Sequence, residues 1–295
     1  MGEIGNRQSE IGNPRGRRGP RVFDYEKYLR LEMFPHIWCP GCGDGIVMKS
    51  LLRAIDRVGL QKDDICMVSG IGCSSRLTGY VDFNTLHTTH GRPLAFATGV
   101  KLAKPSLNVI VVTGDGDALA IGGNHFIHAC RRNIDLTVLL FNNATYGMTG
   151  GQLAPTTPTG KVASTARQGS IDPPFDACKL AIAAGATYVA RGTSYHSQQL
   201  DRLIEGGIKH KGFALIEILE NCNTYYGRPN KISLLELLQW EKDNTVNVKA
   251  AERMTPEQLQ GKIITGVLHQ ADRPEYVALY EEHIARVRAR AGAAA

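Results

Sequence analysis

A chain of 295 residues, 43% of them hydrophobic, can bury one large core, or one core plus a tail, and its formal charge of +6 is modest. No apolar run approaches the roughly twenty residues that cross a bilayer, and the N-terminus lacks a signal-peptide core, so the expectation is a cytoplasmic protein. Seven cysteines in a chain of this size do not make a disulfide framework.

In chain order, residues 1 to 27 read as a polar arm. Its Gly/Pro-rich stretch carries Arg15, Arg17, Arg18 and Arg21 and cannot be a regular helix. Four arginines without interleaved aromatics argue for a disordered or partner-wrapping terminus over a nucleic-acid arm. From 28 to about 225 strands and helices alternate in α/β fashion, and 226 to 295 read as mostly helical. Trp38-Cys39-Pro40-Gly41-Cys42-Gly43 is a loop opening a helix over Asp44–Val58. A strand over Ile65–Ser69 leads into GIGCSSR, which holds Cys73. The connector 86 to 104 places His87, His90 and Arg92 just before a helix.

The stretch 108–152 reads as strand, glycine turn, a helix opening near Ala118, strand and polar loop, with Gly114-Asp115-Gly116 at one strand end and Asn142-Asn143 at the other. A polar Thr/Pro/Gly loop with Lys161 and Arg167 follows; solvated loop charges are the usual state of such residues. A strand over Phe213–Leu219 leads to Cys222. In the tail, Thr255-Pro256-Glu257-Gln258 is a capping-box signature for a helix expected to run through Leu268, and Arg273-Pro274-Glu275 opens another.

Two constellations carry chemistry. Parallel strands joined by a right-handed crossover bring their carboxyl ends together, so Asp115 and Asn143 become neighbours. A carboxylate and an amide oxygen are hard ligands of the kind magnesium takes beside phosphates. Gly114 and Gly116 let the backbone approach an anion closely. The bland reading is an ordinary βα turn. The second constellation is thiols: Cys39, Cys42, Cys73 and Cys222 stand near element ends on three loops, where chains converge on a metal. Cys66, Cys130 and Cys178 fall inside a strand and two helices and read as buried small side chains. Four thiols suit structural zinc or a [4Fe–4S] cluster, and only the cluster passes electrons.

The Gly-Asp-Gly to Asn-Asn spacing resembles the thiamine diphosphate signature. HIWCPGCGDG, SGIGCSSR, LHTTHGRPLAFATGVKLA, TGDGDALAIGGNHFIHACRRN and NNATYGMTGGQLAPTTPTG together resemble the β subunit of a 2-oxoacid:ferredoxin oxidoreductase, most closely the two-subunit 2-oxoglutarate type. The likeness spans residues 28 to about 288. It implies a parallel-sheet diphosphate-binding domain with helices on both faces and a mostly helical C-terminal tail. It implies Asp115, Asn143 and the Thr145 carbonyl as magnesium ligands, and Cys39, Cys42, Cys73 and Cys222 as ligands of a [4Fe–4S] cluster. Gly72, Cys73, Ser74, Gly114, Gly116, Asp117, Tyr146, Gly147, Met148 and Thr149 join Asp115, Asn143 and Thr145 around the cofactor. His90 and Arg92 match a THGR motif near the substrate, where they would stabilise charge or grip a carboxylate; their alternative role is to hold the loop.

The same resemblance implies oxidative decarboxylation of a 2-oxoacid, electrons leaving singly through the cluster to ferredoxin, acyl transfer to coenzyme A, and a reverse carboxylation driven by low-potential ferredoxin. The glutamate that activates thiamine comes from another domain in related enzymes, so a separate α subunit is expected, in an αβ or (αβ)2 assembly. Other readings are a pyruvate-specific member, a non-oxidative thiamine half with structural zinc, and a non-catalytic metal-binding module whose arm contacts nucleic acid. Neither a membrane nor a nucleic acid is the expected partner.

Overall fold

Runs such as Val109-Ile110-Val111-Val112 are apolar at every position and need cover on both faces, which is the signature of a parallel sheet between helix layers. In the computed structural model, which describes residues 23–292, they form such a sheet. The basic segment with Arg15, Arg17, Arg18 and Arg21 lies outside the described residues.

The strands are β1 (Ile65–Ser69), β2 (Asn84–His87), β3 (Asn108–Gly114), β4 (Leu136–Asn142), the hairpin β5 (Thr145–Tyr146) and β6 (Gln152–Leu153), then β7 (Tyr188–Thr193), β8 (Phe213–Leu219), β9 (Thr245–Asn247) and β10 (Ile263–Gln270). All but the hairpin join one eight-stranded sheet ordered β2-β1-β3-β4-β8-β7-β10-β9. From β2 to β7 every pairing is parallel; β10 runs antiparallel to β7, and β9 parallel to β10.

The helices are α1 (Asp44–Val58), α2 (Leu77–Tyr80), α3 (Pro93–Ala103), α4 (Gly123–Arg132), α5 (Ala177–Ala184), α6 (Ser197–Lys209), α7 (Leu234–Asn244), α8 (Val248–Ala251), α9 (Pro256–Leu259) and α10 (Tyr276–Gly292). Alternate strand residues feed two cores. Met67, Ile110, Leu139 and Ile216 point to the layer of α1 and α6; Val68, Val111, Val138 and Leu215 point to α3, α4 and α5. The first layer is locked by a bidentate pair, Arg53 on α1 to Asp201 on α6, at 2.7 Å through both nitrogens. No helix among the described residues is long and apolar enough to cross a membrane.

The tail departs from the sequence reading. The Thr255 capping box forms, with Gln258 as its partner, but the helix it opens ends at Leu259. Gly261 then turns with φ 74°, and Ile263–Gln270 is strand β10, not helix. The physical reason is tertiary: β7 would otherwise leave an unpaired sheet edge, and the β-branched Ile263, Ile264, Thr265 and Val267 suit a strand. The boundary at 225 therefore divides no sheet from tail, because β9 and β10 extend the sheet while α7 to α10 supply the expected helices.

Candidate functional site

The carboxyl ends of β1, β3 and β4 open into a cavity of about 510 Å³. Lining it are Gly72, Cys73, Ser74, Gly114, Asp115, Gly116, Asp117, Asn143, Thr145, Tyr146, Gly147, Met148 and Thr149, together with Ile71, His90 and Gln152. Adjacent parallel strands deliver the two key side chains: Gly114 on β3 sits in register with Phe141 on β4, so the chain emerges as Asp115 on one side and Asn143 on the other.

Asp115 is buried, and the Thr156 hydroxyl donates a short hydrogen bond to its Oδ2. Burial pushes its carboxyl up to about 7, while the Thr156 hydroxyl and the Gly116 N–H pull the other way. A group at about 7 is only half ionised at neutral pH, and a cation nearby would complete its ionisation. Asn142 and Asn143 build successive Asx turns: their Oδ1 atoms accept from the N–H groups of Ala144 and Thr145, each at 3.2 Å. Ala144 stands at φ 59° between them, and the Thr157 hydroxyl holds its carbonyl at 2.7 Å. The Asn143 Nδ2 donates to Glu220 Oε1 at 3.2 Å.

Asp117 lines the cavity and also ties its loops together. Its oxygens accept from the Thr113 hydroxyl at 2.6 Å, Gly91 N–H at 2.7 Å and Ile71 N–H at 3.3 Å, and lie 2.8 Å from His90 Nδ1. One buried carboxylate thus pins three loops around the cavity. A Cβ on Gly70 would stand 2.1 Å from that carboxylate, and one on Gly116 would stand 2.3 Å from the Tyr146 ring, so both positions need glycine. After Gly116 the chain makes a π-helical turn over Asp117–Ile121 before α4 begins, where an α-helix from near Ala118 was expected.

His90 lines the cavity beside Tyr146, with ring centroids 6.0 Å apart. Arg92 does not line it. Its Nη1 donates to the carbonyls of Gly91 at 3.3 Å and Ile121 at 3.1 Å, contacts that hold the loop. Met148 is partly exposed at the mouth. Lys161 faces a separate cavity of about 640 Å³ between the ends of β4, β8 and α7.

Two of the thiols stand against Gly147, and the loop that carries the other two is tied to the Cys222 loop. A Cβ built on Gly147 would lie 3.3 Å from the Cys73 sulfur and 3.7 Å from the Cys222 sulfur, so both flank a residue that itself lines the cofactor cavity. The CPGCG loop is clamped onto the Cys222 loop: Asn221 Nδ2 donates to the Gly41 carbonyl at 2.6 Å, Asn223 Nδ2 to the Pro40 carbonyl at 3.2 Å, and Gly43 N–H to the Asn221 carbonyl at 3.2 Å. Trp38 donates from Nε1 to the Cys73 carbonyl at 2.8 Å. Cys39 is exposed; Cys42, Cys73 and Cys222 are half-buried, and all four are free of disulfides.

Burial, then the neighbouring Asp44, Cys222, Glu220 and Cys39 groups, push the Cys73 thiol up to about 12. Burial chiefly raises Cys42 and Cys222 as well. Three half-buried thiols that resist ionising alone, with exposed Cys39 and two buried acids beside them, form a donor set that a positive centre would convert to thiolates. Asp44 Oδ1 and Glu220 Oε2 have no hydrogen-bond partner. Cys66, Cys130 and Cys178 lie buried and apart from this group.

Thr156, Glu220 and Asp44 are site residues that motif reading passed over. Glu220 offered the clearer signal, an acid closing an apolar strand directly before Asn221 and Cys222.

A family model described as thiamine pyrophosphate enzyme, C-terminal TPP binding domain, matches residues 70–218. The chain is 55% identical over 252 residues to the 2-oxoglutarate synthase subunit KorB of Methanocaldococcus jannaschii, an alignment covering 85% of this chain and 93% of that protein. It is 49% identical over 188 residues to 2-oxoacid:ferredoxin oxidoreductase 2, subunit beta, of Aeropyrum pernix, covering 64% of this chain and 61% of that one. Among solved structures, it is similar to the 2-oxoglutarate:ferredoxin oxidoreductase from Magnetococcus marinus with 2-oxoglutarate, coenzyme A and succinyl-CoA bound, with a TM-score of 0.79, 32% identity and 90% of each chain covered.

Proposed function

This chain belongs to the family of 2-oxoglutarate synthase and 2-oxoacid:ferredoxin oxidoreductase β subunits, and from that premise we propose that it is the thiamine diphosphate-binding half of a 2-oxoglutarate:ferredoxin oxidoreductase. It works with an α subunit that carries the activating glutamate, and the assembly converts a 2-oxoacid and coenzyme A to acyl-CoA and carbon dioxide. The observation that carries this reading is that Gly147 lines the oxygen-ligand cavity and packs against the Cys73 and Cys222 sulfurs.

Bound thiamine diphosphate would supply the carbon nucleophile and electron sink that decarboxylation of a 2-oxoacid requires. The residues of this chain bind and orient it. Asp115, the Asn143 amide and the Thr145 carbonyl are the oxygens that would hold magnesium on the diphosphate. Gly114, Gly116 and Gly72 let the backbone close on the anion without side chains in the way, and the Ser74 side chain lines the same cavity. Asp117 holds the GIGCSS and THGR loops to the diphosphate turn and so fixes the cavity's shape. His90, held by Asp117, is the side chain of the THGR loop that reaches the cavity and can face developing charge.

Cys39, Cys42, Cys73 and Cys222 would hold a [4Fe–4S] cluster, which would draw off electrons one at a time and pass them to ferredoxin. Exposed Cys39 marks the side from which an acceptor protein reaches it. The test is reconstitution. The chain expressed with its α subunit should reduce ferredoxin in the presence of 2-oxoglutarate and coenzyme A, and this chain alone should show no decarboxylase activity. A preference for pyruvate in a panel of 2-oxoacids would overturn the substrate assignment, and robust turnover by the isolated chain would overturn the two-subunit reading.

A further inference from the structure

Glu220 stands between the two sites and belongs to neither motif. It is buried at the end of β8, and its backbone N–H donates to the Asn142 carbonyl at 3.0 Å, so its position is set by the same strand pair that presents Asn143. Its Oε1 accepts the Asn143 Nδ2 at 3.2 Å. On its other side a Cβ on Gly43 would lie 2.6 Å from Oε2 and 2.8 Å from the Glu220 Cβ, so the CPGCG loop is packed directly against the carboxyl group and leaves it no room to swing away. Oε2 has no hydrogen-bond partner among the described residues, and a carboxylate oxygen of Glu220 lies within 4.8 Å of ligand atoms of Cys42 and Asp44.

An asparagine amide has two ends of similar shape and opposite character, a donor NH2 and an acceptor oxygen. A metal site needs the oxygen end, and nothing in the size of the side chain selects it. The Asx turn engages one lone pair of Oδ1 on the Thr145 N–H, and committing the NH2 group to a wedged acceptor holds the other end of the amide: with Nδ2 engaged on Glu220, the remaining lone pair of the oxygen is what is left for the cavity. We propose that Glu220 is a positioning residue that fixes the Asn143 amide with its oxygen toward the metal, the CPGCG loop serving as the backstop that keeps Glu220 in place. This rests on the reading of Asn143 as a ligand of the diphosphate-bound ion.

The test uses the assembled α–β enzyme and calorimetric titration with thiamine diphosphate in the presence of magnesium. E220A removes the acceptor and should weaken cofactor binding by about tenfold or more, as loss of a buried hydrogen-bond partner does. E220Q keeps an Oε1 that can accept the same bond, and should bind within about threefold of the unaltered enzyme. In an N143A background, E220A should add little further loss, because its effect runs through the amide; two sites acting independently would add. Binding by E220A as tight as the unaltered enzyme, E220Q impaired as much as E220A, or full additivity with N143A would each overturn the proposal. If the unaltered enzyme itself fails to bind thiamine diphosphate, or N143A alone binds as well as it does, the reading of Asn143 fails instead.

Discussion

Replacing Thr156 by valine keeps the side-chain shape and removes one hydroxyl, the one that donates to Asp115 Oδ2. Asp115 already sits near about 7 because burial outweighs its hydrogen bonds. A hydrogen bond to a charged buried group contributes about 1.5 to 3 kcal/mol, and one pKa unit is about 1.4 kcal/mol, so T156V should raise the Asp115 pKa by roughly one to two units more. Magnesium needs the carboxylate, so protons compete with the metal ion and its diphosphate. The hydroxyl favours the anion equally with and without the metal, so the loss should act through proton competition alone. At pH 7 the dissociation constant of thiamine diphosphate with magnesium should rise about 5- to 50-fold relative to the unaltered enzyme, shrinking to about twofold or less by pH 9. Calorimetric titration of the assembled enzyme across pH 6.5 to 9 measures both. An unchanged constant at pH 7, or a penalty as large at pH 9 as at pH 7, would refute the reasoning.

Other outcomes follow from the same geometry. C42S and C73S should abolish the broad absorbance near 400 nm that gives an anaerobically purified iron–sulfur protein its brown colour, whereas C66S should keep it; a colourless unaltered protein rich in zinc would decide for a structural zinc site. Glu241 is buried against Ser194 and the Tyr195 N–H, and burial pushes its carboxyl up to about 7 from 4.5. The folded state then holds a proton that the unfolded chain has lost, so this group's contribution is present at low pH and disappears as pH rises through about 7. E241Q should therefore narrow the difference in unfolding free energy between pH 5 and pH 8 by about 2 to 3 kcal/mol, measured by denaturant titration; an unchanged difference would contradict the burial argument. G70A, whose Cβ would press on the Asp117 carboxylate, should release the three loops that it pins and lower both the melting temperature and cofactor affinity. A fully stable, cofactor-binding G70A would deny Asp117 that role.

What sequence shows here and what it hides divide along physical lines. Asp44–Val58, Ile65–Ser69 and Phe213–Leu219 were readable because their periodicity and flanking glycines are local signals, and the Asp115 to Asn143 juxtaposition follows from the handedness of a single crossover. Strand β10 was hidden because its state depends on the open edge of β7, a partner some 75 positions earlier in the chain, while the capping box before it signalled a helix that forms only one turn. Thr156 reaches Asp115 across 41 positions and Glu220 reaches Asn143 across 77, distances at which no spacing rule links a supporting residue to its ligand. Arg92 is a further tie of this kind: its Nη1 donates to the carbonyl of Ile121, 29 positions on, which its motif does not announce.

The central claim is that Asp115, Asn143 and the Thr145 carbonyl hold the ion on the diphosphate. Crystals of the assembled enzyme with thiamine diphosphate and manganese in place of magnesium, measured for anomalous scattering, test it most directly. The account predicts a manganese peak in the cavity at roughly 2.1 to 2.2 Å from an oxygen of each of the three residues. A peak bound elsewhere, or diphosphate density with the ion out of reach of Asp115 and Asn143, would contradict it.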